Sequence, residues 1–158
     1  MINLPKFKNP KGFTLVELLV VIGILAILLA IVLIAVNPAR QFAQARNTSR
    51  RSDVLTVLNA VNQYFADNGA LPTGISGTAT QISDTGADLC SSLVPTYIAG
   101  LPRDPAPSVG GGSVRNCAGA YTTGYNVAST SASRVTVSAP NAEAEPPSTT
   151  PPTISVTR

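Results

Sequence analysis

From Leu18 to Val36 the chain runs nineteen residues without a charged or strongly polar side chain. At about 1.5 Å per residue, a helix over that run spans roughly 28 Å, close to the hydrocarbon thickness of a bilayer. The pattern therefore predicts a membrane-spanning helix. The run exceeds the apolar region of about 7–15 residues found in secretory signal peptides. One carboxylate, Glu17, sits at its edge. Deep in a bilayer an acidic side chain costs roughly 2.5–3.5 kcal/mol, so Glu17 needs a partner.

Beyond the run, Pro38 interrupts the helix, because it lacks an N–H for the carbonyl of Ile34 and its ring crowds that carbonyl. A helix is expected to resume after it. Val54, Leu58, Val61 and Phe65 recur at helical spacing, with Val57 and Tyr64 widening the stripe. Asp67-Asn68-Gly69 supplies the stop, since glycine takes the left-handed conformation that closes a helix. Fully helical, Phe13 to Asn68 would reach about 84 Å, too long to be buried by a small head, so its lower half requires lipid or partners. Arg46 to Asp53 contains no apolar residue and reads as a solvated stalk. Within it Arg50 and Asp53 are spaced to pair weakly, and Asn47-Thr48-Ser49 fits a glycosylation triplet.

Residues 73–87, rich in Thr, Ser and Gly, read as a loop. Asp88 to Val94 is a candidate short helix carrying Cys90. Tyr121, Thr123, Tyr125 and Val127 alternate with smaller residues, and Arg134 to Ser138 forms a second alternating segment, with Ser129 to Ser133 joining them. From Asn141 the Pro/Ser/Thr-rich composition predicts an extended, solvated tail, with Thr153 to Thr157 a marginal strand. The expected organisation is a leader over 1–12, a helix over 13–68 (13–36 in the membrane, 39–68 as stalk), a head over 69–140 and a tail over 141–158.

Composition changes this picture in three ways. The net charge of +3 comes from Lys6, Lys8 and Lys11, all before Gly12; the remainder carries 8 basic and 8 acidic side chains. A neutral remainder gives no argument for nucleic-acid binding. The flanking charges, three lysines before the run and Arg40, Arg46, Arg50 and Arg51 after it, do not fix orientation by themselves; a short N-terminus on the cytoplasmic side is the default. There is no histidine to act as a base, and no nucleophile motif stands out, so the chain reads as no enzyme, with no cofactor and no metal. Cys90 and Cys117, in a chain with an export-type N-terminus, read as one disulfide, worth about 3–4 kcal/mol in the chain-entropy account. Two buried thiols are the alternative.

Lys11-Gly12-Phe13-Thr14-Leu15-Val16-Glu17, with the basic leader and the apolar run, resembles the processing site of type IV pilins and pseudopilins. The resemblance implies cleavage between Gly12 and Phe13 by the prepilin peptidase, and N-methylation of Phe13. It makes Glu17 the family's acid at the fifth mature position, which meets the new N-terminal amine of a neighbouring subunit during assembly. Gly23, Ala26 and Ala30 offer small side chains for close helix approach. Many family members carry a proline where Ile34 stands, so Pro38 places the helix break about one turn later. Tyr64 to Pro72 and the turn Leu101-Pro102-Arg103-Asp104-Pro105 resemble family features of the head. Some secretion-type members bind calcium through acids there; Asp84, Asp88 and Asp104 lack a regular ligand pattern, and a solvated loop is the expectation.

The implied fold is α+β: a long N-terminal helix packed on a small antiparallel sheet. The implied function is a structural subunit of a type IV pilus, with a pseudopilin of a type II secretion or DNA-uptake system as the alternative. A membrane-bound module whose head binds a ligand is a third. Implied partners are the prepilin peptidase, like subunits in a helical filament, an inner-membrane assembly platform and, before assembly, the lipid bilayer. The chain would be a single-pass inner-membrane protein that becomes an extracellular or periplasmic filament.

Overall fold

A computed structural model describes residues 12–131 and 134–158. The leader lysines Lys6, Lys8 and Lys11, and part of the expected link at 132–133, lie outside the described residues. The chain divides into two compact units, with the boundary after Pro38.

In the first unit, α1 runs over Leu15–Val36. Its residues from Leu15 to Ala35 are exposed all the way round, and this stretch is long and apolar enough to cross a membrane. A helix that is hydrophobic on every face has no inside and outside of its own; it is stable only within lipid or other helices. The helix ends at Asn37, a non-glycine residue at φ 45°. Asparagine is among the few L-residues that tolerate the left-handed region. The break expected at Pro38 is thus made by Asn37, while Pro38 opens the next helix, where its missing N–H leaves no bond unmade.

The next helix, α2, runs over Pro38–Asn68, and all of it after Pro38 belongs to the second unit. It ends as the sequence predicts, with Gly69 at φ 68° and its N–H donating to the Phe65 carbonyl at 2.8 Å. The stripe Val54, Val57, Leu58 and Val61 is buried. It shares one core with Ile82, Tyr125, Val127, Val135 and Val137 of the sheet and with Leu89, Cys90 and Leu93. The sheet is antiparallel, in the order β1 (Thr80–Ser83), β2 (Thr122–Ser131), β3 (Arg134–Ser138) and β4 (Ser155–Thr157). Between β1 and β2, α3 spans Cys90–Leu93, within the short helix expected there. The arrangement is the α+β fold anticipated, a helix on a small antiparallel sheet.

Four differences from expectation stand out. Thr80–Ser83 is a strand rather than loop, pairing with β2. The β2 strand extends through Ser131, which pairs with Arg134, into the segment expected to join two strands. The tail is docked rather than a free extension: β4, within the marginal strand expected over Thr153 to Thr157, pairs with β3, and Ile154 is buried. The polar stretch Arg46 to Asp53 is not a wholly solvated stalk, because Asn47 and Arg50 within it are buried. Its burial is polar, through partners distant in sequence.

Candidate processing and assembly site

The first unit carries the N-terminal site. Thr14 is extended, at φ −78° and ψ 152°, and caps α1. Its Oγ1 accepts from the Glu17 N–H at 3.2 Å. In return, Glu17 Oε2 accepts from the Thr14 N–H at 2.8 Å and from Thr14 Oγ1 at 2.8 Å. This reciprocal capping box satisfies donors that a helix start leaves open. A carboxylate in the first turn also faces the positive end of the helix dipole. Glu17 therefore has a partner within its own chain, which sequence reasoning did not provide. The signal was present as a threonine three residues before a glutamate, ahead of an apolar run. Phe13 is exposed beside it. Among the described residues, a Cβ built on Gly12 meets no atom within 4 Å. The same holds at Gly23.

The second unit contains an ionic cluster built on the first half of α2. Arg46 and Arg50, one turn apart, lie on one helix face. The Arg50 guanidinium grips Asp104 with two bonds, Nε to Oδ2 at 2.9 Å and Nη2 to Oδ1 at 2.9 Å. It also donates to Glu143 Oε1 at 3.0 Å and to Asn47 Oδ1 at 2.9 Å. Arg46 forks onto both oxygens of Glu143. Asn47 donates to the Glu143 carbonyl and to Glu145 Oε1, each at 2.8 Å, and accepts from the Glu143 N–H. Burial opposes the charge on Arg50, but its hydrogen bonds to Asp104 and Glu143 outweigh it and hold the guanidinium protonated. The hydrogen bond from Arg46 lowers the pKa of Glu143 below the ordinary carboxylate value. That from Asn47 does the same for Glu145.

The expected Arg50–Asp53 pair does not form. Asp53 instead accepts from the Tyr125 hydroxyl at 2.7 Å. Burial raises its pKa above the ordinary value, and burial likewise raises that of Tyr125. Nor is Asp104 in a solvated loop: both members of its pair with Arg50 are fully buried. Gly124, at φ 79°, makes room for it, since a Cβ there would lie 2.8 Å from the Asp104 Cβ. Asp84 and Asp88 accept from the Tyr121 N–H at 3.2 Å and its hydroxyl at 2.6 Å. Among the described residues, no three potential ligands converge as a metal site. Asn47 is buried with its side-chain amide bonded at both ends, which leaves no room for a glycan on that triplet. The sequence did hold a hint of the cluster: Glu143 and Glu145 are the only charges between Arg134 and Arg158.

Cys90 and Cys117 are joined as a disulfide, with Cα atoms 5.4 Å apart. It ties α3 to the segment before β2. Leu101 and Val114, within the loop it closes, bridge to one another.

Residues 7–33 match the prokaryotic N-terminal methylation motif. The chain is 32% identical over 100 residues to the type II secretion system core protein G of Klebsiella pneumoniae, covering 62% of this chain and 70% of that protein. It is 31% identical over 101 residues to the protein of the same name from Vibrio cholerae serotype O1, covering 63% and 68%. No solved structure matches. The methylation motif lies over the capped start of an all-round apolar helix, and the similarity extends well past that helix: the chain belongs to the type IV pilin-like family of pilins and pseudopilins.

Proposed function

We propose that this chain is a pseudopilin-type filament subunit of a type II secretion system or a closely related machine. One observation carries the reading: α1 is apolar on every face and holds a single carboxylate, Glu17, in its capped first turn. A helix of this kind has two environments that suit it, the bilayer and a bundle of like helices, and a filament subunit passes from one to the other. The relatives' name supports secretion over the surface pilus that the sequence first suggested.

In this reading the prepilin peptidase cleaves between Gly12 and Phe13 and methylates Phe13. Cleavage creates an ammonium group on Phe13. Glu17 of a neighbouring subunit pairs with it, exchanging its capping contacts with Thr14 for a stronger ionic one. The pair acts as a register device, since a buried ion pair contributes little net stability yet is costly to break. Before assembly the chain is a single-pass inner-membrane protein with its head outside the cytoplasm. An inner-membrane platform then stacks it with identical or related subunits.

The test is the mass of the mature chain isolated from assembled filaments, together with a Glu17→Ala variant. A methylated Phe13 N-terminus, and a variant that stays in the membrane unassembled, are expected. A mature chain that starts elsewhere, or an assembling Glu17→Ala variant, refutes the reading. Deleting the gene distinguishes the machines: loss of protein export with surface filaments intact marks secretion, and the converse marks a pilus.

A further inference from the structure

In the second unit, the large apolar side chains left exposed among the described residues are Phe42 and Leu55, at 63% and 44%. Phe42 is the more exposed, and it belongs to a wider apolar face. Ala39, Phe42 and Ala45 are spaced three apart on α2, and all are exposed. Residues at that spacing share one side of a helix. The side of α2 that the head covers is a different one, carrying Ala43, Asn47 and Arg50. Farther along the exposed side the chemistry changes: Ser49, Ser52 and Thr56 are exposed too, and each carries a hydroxyl. The unpartnered apolar face is therefore confined to the first two turns of α2.

These two turns follow directly on the stretch long and apolar enough to cross a membrane. Phe42 is seven residues beyond Ala35, where that stretch ends. Seven residues reach about 25 Å fully extended and about 10 Å as helix. The bilayer surface is thus within reach of Phe42 whatever the course of the chain through Asn37. The polar layer on each side of the hydrocarbon is roughly 5–7 Å deep. Side chains on a helix lean toward its N-terminus, which turns the Phe42 ring back toward that layer. An apolar helix face beside lipid settles at the boundary between headgroups and acyl chains. A neighbouring helix laid along α2 would favour an apolar face running its full length. A bilayer surface favours one that ends within two turns, as this one does.

We propose that the first two turns of α2 dock on the lipid bilayer surface, on the side that carries the head. The Phe42 ring is seated between headgroups and acyl chains, with Ala39 and Ala45 beside it. The proposal rests on the reading of α1 as a membrane anchor. It adds a second, reversible lipid contact, made by the head's own helix. That contact seats the foot of the head on the membrane before assembly. Leaving the membrane for a filament then requires the release of Phe42 as well as of α1.

The chain has no tryptophan, so Phe42→Trp introduces a single fluorescent reporter. The full chain is placed one copy per lipid nanodisc, in lipids with and without bromine on the upper part of the acyl chains, which quenches an indole on contact. Leu55→Trp, about 20 Å farther along α2, is the comparison. Both positions are exposed, so neither reporter disturbs the core. Phe42→Trp should lose most of its emission in the brominated discs, and Leu55→Trp should lose little. Quenching of Phe42→Trp no greater than that of Leu55→Trp overturns the proposal. So does a Phe42→Trp emission that is unquenched singly and shifts to shorter wavelength only when several copies share a disc, which assigns the face to a second copy of the chain. A chain that fails to enter the discs refutes the anchor reading, and this proposal with it; entry without quenching refutes the docking alone.

Discussion

Arg50 and Asp104, fifty-four residues apart, lie face to face with neither side chain exposed, joined by two parallel bonds of 2.9 Å. The bidentate geometry is the one guanidinium and carboxylate groups favour. It anchors the Leu101-to-Pro105 turn onto α2, and Glu143 brings the tail to the same guanidinium. Arg50→Met leaves Asp104 buried without a cation and should cost about 3–5 kcal/mol. Asp104→Ala should cost less, because Arg50 keeps Glu143 and Asn47. Arg50→Lys should not rescue, because an ammonium cannot fork. Replacing both members with apolar residues should recover much of the loss. Chemical denaturation of the detergent-solubilised chain, run as a double-mutant cycle, measures the coupling; additive losses would show that the pair does not act as a unit.

The carboxylates around Arg50 make stability depend on pH with two opposite signs. The Glu143 pKa is lowered from its ordinary 4.5 by the Arg46 hydrogen bond. Its contribution is complete above that value and is lost as pH falls through the lower folded value. The Asp53 pKa is raised from 3.8 by burial, so its contribution is complete below 3.8 and is lost as pH rises through the folded value. Glu143→Gln should flatten the loss of stability on acidification below about pH 4.5. Asp53→Asn should steepen it, because the group whose protonation favours the fold is gone. Thermal melts across pH 3 to 7 compare the three chains; parallel curves would deny both roles.

The disulfide should matter more than its position near the surface suggests. Cys90 is buried in the core while Cys117 is only partly covered, and the two are 27 residues apart. A staple in a domain this small contributes about 2–5 kcal/mol. The double variant Cys90→Ala, Cys117→Ser should lose that much in denaturant titrations, and the native chain should lose a similar amount when fully reduced. An unchanged midpoint would mean that the loop is held by its other contacts alone.

Physical reasons separate what the sequence revealed from what it concealed. The α1 helix was legible because nineteen apolar residues in a row have few alternatives, and β3 because Arg-Val-Thr-Val-Ser alternates over a buried face. The stripe on upper α2 was legible for the same periodic reason. By contrast β1, Thr-Gln-Ile-Ser, contains one apolar side chain, and β4, readable only as a marginal alternation over Thr153 to Thr157, spans three residues after a proline-rich stretch. Both exist because β2 and β3 offer them a partner, and pairing is not encoded in the short segment itself. Arg50 was hidden for a related reason. A buried charge is tolerable only with partners, and its partners come from 54 and 93 residues away. At the N-terminus the partner of Glu17 is local, the capping threonine three residues before it.

The junction at Asn37 invites a local test. At φ 45° a β-branched side chain is strained by roughly 1–2 kcal/mol, whereas glycine is at ease. Asn37→Val should therefore loosen or extend the helix ends, and Asn37→Gly should leave them as they are. Amide hydrogen exchange of residues 33–42 in detergent micelles reads this directly. Equal exchange in the two variants would show that the left-handed residue does not define the break.

The tail supplies the last test, since two views of it predict opposite outcomes. A solvated extension can be removed at no cost to the head. The docked tail contributes Glu143 to Arg46 and Arg50, Ile154 to the core, and β4 to the edge of β3. Val135 exchanges backbone bonds with Arg158 at 2.8 and 3.0 Å, and Ala139 donates to Ile154. Ending the chain after Pro140 would expose β3 as an edge, uncover part of the core beneath Ile154 and leave Arg46 without its acid. An exposed edge strand is a template for pairing with other chains. The shortened chain should therefore unfold several kcal/mol more easily, with burial of Ile154 alone worth about 1.5–3 kcal/mol, and should aggregate through its sheet. Glu143→Ala in the full-length chain should show the electrostatic part of the loss without the aggregation. If the truncation melts as the full chain does, the tail is an appendage after all and its contacts contribute nothing to the fold.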